Sequence, residues 1–239
     1  MVLTVISHVY NEEYLIPFWL KHHKSIFDHG IIIDYNSTDR TLDIIREICP
    51  AWEIIQSRND FFDAQNVDME VMDIERNVVG TKIVLNTTEF LFTKEPLILA
   101  ENTCFSIQEL AALSDVSTSP KTLEDLFEGI QRVNEKCRGK RFIHSYPCGQ
   151  YSIGRHGTYL NTTDISSSNA IIIWFGFYPW NDEVIKRKQQ IGKKQPESDI
   201  AKGLGSHHRW NLDEMLNYKS NNWQNSIPYT INNFINKDI

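Results

Sequence analysis

The chain has 239 residues, 41% of them hydrophobic, and 31 acidic against 24 basic side chains give a formal net charge of −7. The apolar content supplies a full globular core and excludes a disordered chain. The acidic balance argues against broad capture of nucleic acid or anionic membrane, which depends on neutralising phosphate, and leaves room only for a local basic patch around one phosphate group.

The apolar runs, such as residues 170–178, fall far short of the roughly 20 residues that cross a bilayer, so no transmembrane segment is expected. The N-terminal stretch lacks a basic flank and a small-residue cleavage site, and reads as neither signal peptide nor anchor. Cys49, Cys104, Cys137 and Cys148 are widely spaced with no CxxC pair. That spacing suggests neither a structural zinc site nor a disulfide framework, and a reducing cytoplasmic setting is expected.

In chain order, Val2 to Ser7 is a β-branched run suited to a buried parallel strand, and Glu12 to Lys24 has helical spacing at Leu15, Phe18 and Trp19. Gly30 is expected to stop that helix, Ile31 to Ile33 to form a second strand, and Arg40 to Ile48 a second helix. Trp52 to Gln56 predicts a third strand, Val67 to Val78 a third helix and Lys82 to Leu85 a fourth strand. Such alternation implies an α/β fold with a mostly parallel sheet and helices on both faces. Further on, the spacing predicts helices over Phe105 to Leu113, Leu123 to Lys136 and Asp182 to Gln190, and strands over Arg141 to His144 and Ala170 to Phe175. With no internal repeat, 1–239 reads as one domain, about 1–100 forming a nucleotide-binding half and about 101–239 an acceptor half.

In open α/β sheets ligands sit beyond the carboxyl ends of the strands, where the strand order reverses. The turns that follow the strands therefore carry the candidate residues. After the first strand come His8, Tyr10, Asn11 and Glu12, where Asn11 either faces a nucleoside or caps the helix. After the second come Asp34, placed to accept hydrogen bonds from a base edge or ribose hydroxyls, and Asn36, with Asp39 as a helix cap.

Three segments, ISHVYNEE from Ile6, IDYNSTDRT from Ile33 and KIVLNTTEFLF from Lys82, resemble family 2-like GT-A glycosyltransferases over about residues 2–95. The GRH at Gly154 and GSHHRW at Gly205 are similar to their acceptor-side and C-terminal segments. The resemblance implies a GT-A (Rossmann-like) fold and transfer, with inversion, of a sugar from a nucleotide-sugar donor to a glycan or other hydroxyl acceptor. It implies donor contacts at Asn86 and Thr88 as well as in the first two turns, and Glu89 among the catalytic residues; Arg187 is expected at the donor on separate grounds, as a cation of its own helix available to the diphosphate. Acceptor contacts are expected at His156 and Trp180.

One motif departs from the family. Where the fourth strand commonly ends in Asp-x-Asp, this chain has Asn86-Thr87-Thr88-Glu89, and a neutral oxygen is a poorer ligand for Mn²⁺ or Mg²⁺ than a carboxylate. Three outcomes stay open: a divalent ion held by Glu89 with His207 or His208, a metal-free route using cationic side chains, or a catalytically silent binding protein on the same scaffold. Arg187, near Ile185 and Ile191, is the inward-facing candidate of its basic helix, whereas Lys186, Lys188, Lys193 and Lys194 read as a solvated face. Gly192, Gly203 and Gly205 mark a segment that can close over a donor. For the base that takes the acceptor proton, Glu101, Asp182 and Glu183 are candidates, and Asp182 is preferred because it follows the aromatic run Trp174 to Trp180.

Overall fold

A computed structural model describes residues 2–136 and 139–229, so Cys137 and the last ten positions of the half expected to bind an acceptor lie outside the described residues. The elements are β1 (Leu3–Val9), α1 (Ile16–His23), β2 (His29–Asp34), α2 (Thr41–Ile48), β3 (Glu53–Gln56), α3 (Ala64–Glu75), β4 (Thr81–Val84) and β5 (Glu89–Thr93). There follow β6 (Cys104–Leu113), α4 (Leu123–Glu128), β7 (Arg132–Asn134), β8 (Lys140–His144), β9 (Thr163–Asp164) and β10 (Ala170–Trp174). The chain continues through α5 (Asp182–Ile191), α6 (Glu197–Ala201), α7 (Leu212–Gln224) and β11 (Ile227–Pro228).

Strands β3, β2, β1 and β4 lie side by side and parallel, as the alternating pattern requires. Beyond β4 the sheet continues through β8, β6 and β7 in antiparallel pairings, and β10 runs parallel to β6 and antiparallel to β5. Because successive side chains of a strand point to opposite faces, Val5 and Ile32 join one core while Ile6, Ile31 and Ile33 join another on the opposite side. The result is a Rossmann-like α/β sheet covered by helices. No helix among the described residues is long and apolar enough to cross a membrane.

Three local expectations are corrected. The segment predicted as a helix over Phe105 to Leu113 is the central strand β6, whose Glu, Leu and Ala residues favour helices but which pairs with β7, β8, β9 and β10. Tertiary pairing overrides propensity there. The expected helix from Leu123 ends at Glu128, and the chain then turns into β7. Gly30 sits inside β2, where a Cβ would lie 2.2 Å from the Trp52 ring, so its role is close packing against that indole.

Candidate functional site

The chain runs β1, β2, β3 outward to one side and returns to place β4 on the other side of β1. This reversal opens a crevice beyond the carboxyl ends of β1 and β4. A cleft of about 380 Å³ occupies it, lined by His8 near the end of β1, by Tyr10 and Glu12 just after it, and by Asn86, Thr87 and Thr88 after β4. The opposite walls come from the Ile153–His156 turn, Trp174, Arg187 and Lys188 on α5, and the Leu204–His208 segment.

Three buried guanidinium–carboxylate pairs frame the cleft. Arg187, 8% exposed, grips Glu12 through Nε and Nη2, the latter 2.6 Å from Oε1, and Nη2 also donates to Thr87 Oγ1 at 3.1 Å. No hydrogen bond among the described residues uses its Nη1. Arg155 pairs with Asp68 of α3 and donates from Nη2 to Asn86 Oδ1 at 3.1 Å. Arg141 of β8 binds Glu89 in a two-point fork, Nη2 to Oε1 at 2.6 Å and Nε to Oε2 at 2.9 Å, and Glu109 Oε2 lies 3.7 Å from its Nη1. Burial alone would lower the Arg141 pKa, but the Glu89 and Glu109 carboxylates more than offset this and raise it. Charges so deeply placed persist only when paired, and removing one partner costs about 3–5 kcal/mol.

The backbone is shaped to present these groups. Arg155 follows Gly154 (φ +81°) and itself adopts a left-handed φ of +57°, uncommon for a residue with a side chain. Asp68 holds that turn by accepting the Gly154 N–H at 2.7 Å as well as the guanidinium. Glu89 is set from below, since Trp19 of α1 donates its Nε1–H to the Glu89 carbonyl at 2.9 Å. Gly176 lies where a Cβ would meet the Trp174 indole at 1.9 Å, so its lack of a side chain lets that ring form the wall.

Of the residues expected from sequence, His8, Tyr10, Glu12, Asn86, Thr88, His156, Arg187, His207 and His208 all line the cleft. Asn11 and Asn36 do not: both adopt left-handed φ (+52° and +61°), and Asn11 Oδ1 accepts the Thr38 N–H at 2.7 Å, tying the first two turns together. Asp34 ends β2 opposite Val9, its Oδ1 accepts the Ser37 N–H at 3.0 Å, and it lies outside the cleft lining. Asp39 accepts the Thr41 N–H at 2.9 Å, the helix-start role expected of it.

Glu89, expected as catalytic group and metal ligand, is fully buried behind the cleft, and each of its oxygens takes one hydrogen bond from Arg141 and one from Asn86. Asp182 stands at the first position of α5, exposed, and five residues at 100° each turn it about 140° from Arg187, the residue of that helix that enters the cleft. Trp180 stacks on Phe177 (centroids 5.7 Å, 27°) outside the cleft lining. Lys188, expected on a solvated face, lines the cleft and rests 3.9 Å from the Phe177 ring centroid.

Arg141, Arg155 and Asp68 were not anticipated. A signal existed for Arg141: a cation in the otherwise strand-like KRFIH must bury a charge and demands a carboxylate elsewhere. Arg155 lay in the GRH segment, where only His156 was singled out. His156 keeps a side chain 46% exposed, with Nδ1 2.9 Å from Arg141 Nη1. Burial depresses the pKa of His8 to about 3, and the charge of Arg155 adds to it; His208 is likewise lowered to about 3, first by burial and then by His207, Lys188 and Arg187. Both imidazoles are neutral at physiological pH.

The donor set does not fit a hard divalent ion. Among the described residues no group of three His, Cys, Asp or Glu side chains is arranged to hold a metal. Glu89 is committed to Arg141, and Asn86 Oδ1 already accepts from a cation.

No family model and no curated protein matches this chain. Among solved structures it is similar to S. aureus TarS 1-349 in complex with UDP-GlcNAc, at 15% identity over 61% of this chain and 45% of that one, with a TM-score of 0.37. It is similar to glucosyl-3-phosphoglycerate synthase from Mycobacterium tuberculosis in complex with Mn²⁺, UDP and glucosyl-3-phosphoglycerate, at 13% identity over 60% and 56% of the two chains, TM-score 0.35. A third is HddC from Yersinia pseudotuberculosis, at 10% identity over 78% and 97%, TM-score 0.38. The match spans less than half of the TarS 1-349 chain.

Proposed function

We propose that this chain is a GT-A-type glycosyltransferase whose cleft binds a nucleotide-diphosphate sugar and passes the sugar to a hydroxyl acceptor, with the inversion that the sequence resemblance implies. The observation that carries this reading is the position of the cleft. It lies at the reversal of strand order between β1 and β4, lined by two of the three segments whose sequences carry the resemblance, and four cationic side chains face it against two carboxylates.

In this reading the base lies against the aromatic wall of His8, Tyr10 and Phe62, with Phe62 itself stacked on Tyr35 (4.4 Å, 19°). Asp34 meets the base edge or ribose with the carboxylate oxygen that Ser37 leaves unused. The diphosphate lies over Thr87 and Thr88 toward α5. The acceptor enters beside Trp174 and His156, the half-exposed histidine of the rim. Developing negative charge on the leaving diphosphate faces preorganised cations in a partly enclosed site, where their stabilisation is strongest.

A second reading, binding without turnover, is favoured by one observation. Both carboxylates that line the cleft, Glu12 and Asp68, are already paired with arginines. A thermal-shift screen of UDP, GDP, dTDP and CDP followed by NMR of the matching nucleotide-sugar separates the two. Binding with slow release of nucleoside diphosphate, accelerated by an acceptor sugar, supports transfer; binding with no release supports the silent protein. Absence of a shift with every nucleotide at millimolar concentration removes both.

A further inference from the structure

The Asn86-Thr87-Thr88-Glu89 segment is more than a family motif stripped of its carboxylates. Asn86 sits between a carboxylate and a guanidinium: its Nδ2 donates to Glu89 Oε1 at 2.8 Å, and its Oδ1 accepts from Arg155 Nη2 at 3.1 Å. Only a side chain with one donor and one acceptor satisfies both neighbours. An aspartate there would face Glu89 oxygen to oxygen, so the neutral amide follows from what surrounds it. Arg155 in turn is fixed by Asp68 through both its guanidinium and the Gly154 amide, on a backbone that must adopt a left-handed φ to place it. A fixed cation therefore already stands beside the strand end where the sequence resemblance would put a metal ion, and a divalent ion ligated by Asn86 Oδ1 would be repelled by it.

The rest of the cleft extends this positive lining. Arg187 is locked by Glu12 and Thr87 but keeps Nη1 out of every hydrogen bond among the described residues. Lys188 lies over the Phe177 and Trp174 rings, 3.9 and 5.5 Å from their centroids, and lines the cleft wall. Thr87 and Thr88 line the same cleft, and Thr87 Oγ1 accepts from Arg187 Nη2.

Resting on the donor reading above, we infer that the cleft holds the diphosphate of its nucleotide without a divalent ion, on Arg187, Lys188 and the two threonine hydroxyls, with the fixed guanidinium of Arg155 in the place of the metal. No bond is made or broken by these groups; they supply charge and hydrogen bonds that an ion would otherwise supply.

The test uses the whole purified chain and calorimetric titration of UDP, GDP, dTDP and CDP, once in EDTA and once in Mn²⁺. The expected result is that at least one nucleotide binds with affinities in the two buffers that agree within about twofold, that inorganic pyrophosphate competes with it, and that binding weakens as salt is raised. Lys188→Met is expected to lower the affinity about tenfold, the scale of one charge-assisted hydrogen bond, while the melting temperature stays near that of the parent. Binding that requires Mn²⁺ overturns this inference and leaves the donor reading standing. Failure of every nucleotide in both buffers overturns the two together. Saturable Mn²⁺ binding to the nucleotide-free chain that is lost in Glu89→Gln also overturns the inference.

Discussion

Replacing Glu89 by glutamine distinguishes a buried anchor for Arg141 from a metal ligand. The substitution keeps shape but turns one oxygen into an NH₂ group, and each oxygen now receives one donor from Arg141 and one from Asn86. Whichever way the amide points, two donors meet a donor. Arg141, 2% exposed, then keeps Glu109 at 3.7 Å and the more distant charge of Asp68. Breaking a buried pair in this way costs about 3–5 kcal/mol. In a domain of this size 1 kcal/mol moves the melting temperature by roughly 2–4 °C, so Glu89→Gln should melt about 6–20 °C lower. The assay is differential scanning fluorimetry in EDTA, with urea unfolding as a check. A melting temperature within 2 °C of the parent, or above it, would refute the reasoning, because a carboxylate awaiting a metal gains from losing its charge when no metal is bound.

Glu12→Gln and Arg187→Met should each destabilise by about 3–5 kcal/mol, and the double variant should fall short of their sum by about 1–3 kcal/mol; simple additivity in urea unfolding would show that the pair is not coupled. Asp34→Ala is expected to weaken nucleotide binding about 10–100-fold, the worth of a charged hydrogen bond, and unchanged affinity by calorimetry would remove Asp34 from the donor site. Burial holds the pKa of His22 down at about 4, and burial joined by the charge of His22 holds His23 well below its ordinary value. Each stays neutral in the fold while the unfolded chain takes up a proton below about pH 6.5, so stability present above that pH is lost as pH falls toward the folded values, by about 1.4 kcal/mol per pH unit per histidine. Urea midpoints that stay flat from pH 7 to pH 5 would contradict this.

What could be read from the sequence follows how local its physical cause is. The β-branched runs of β1, β2 and β4 announce buried parallel strands by themselves, and with them the turns at His8–Glu12 and Asn86–Thr88 that line the cleft. Strand β6 was hidden because its residues favour a helix and its strand state is imposed by neighbours from distant parts of the chain. The arginines were hidden for a related reason. Arg141 and Arg155 acquire meaning only from Glu89 and Asp68, and no spacing rule connects them. Asp182 drew attention through its aromatic prelude, yet helix phase decides that Arg187 and not Asp182 turns inward.

The three pairs that frame the cleft also set an order of assembly. Their partners lie 52, 87 and 175 positions apart, the widest being Glu12 with Arg187. At a synthesis rate of about 5–20 residues per second, about 9–35 seconds pass between the making of Glu12 and the making of Arg187. Until then Glu12 lacks the partner it has in the fold, and burying an unpaired carboxylate is costly. The first βα units can form while the chain is still growing, but the wall that α5 and the Leu204–His208 segment give the cleft is added only after them, ahead of α7 and β11.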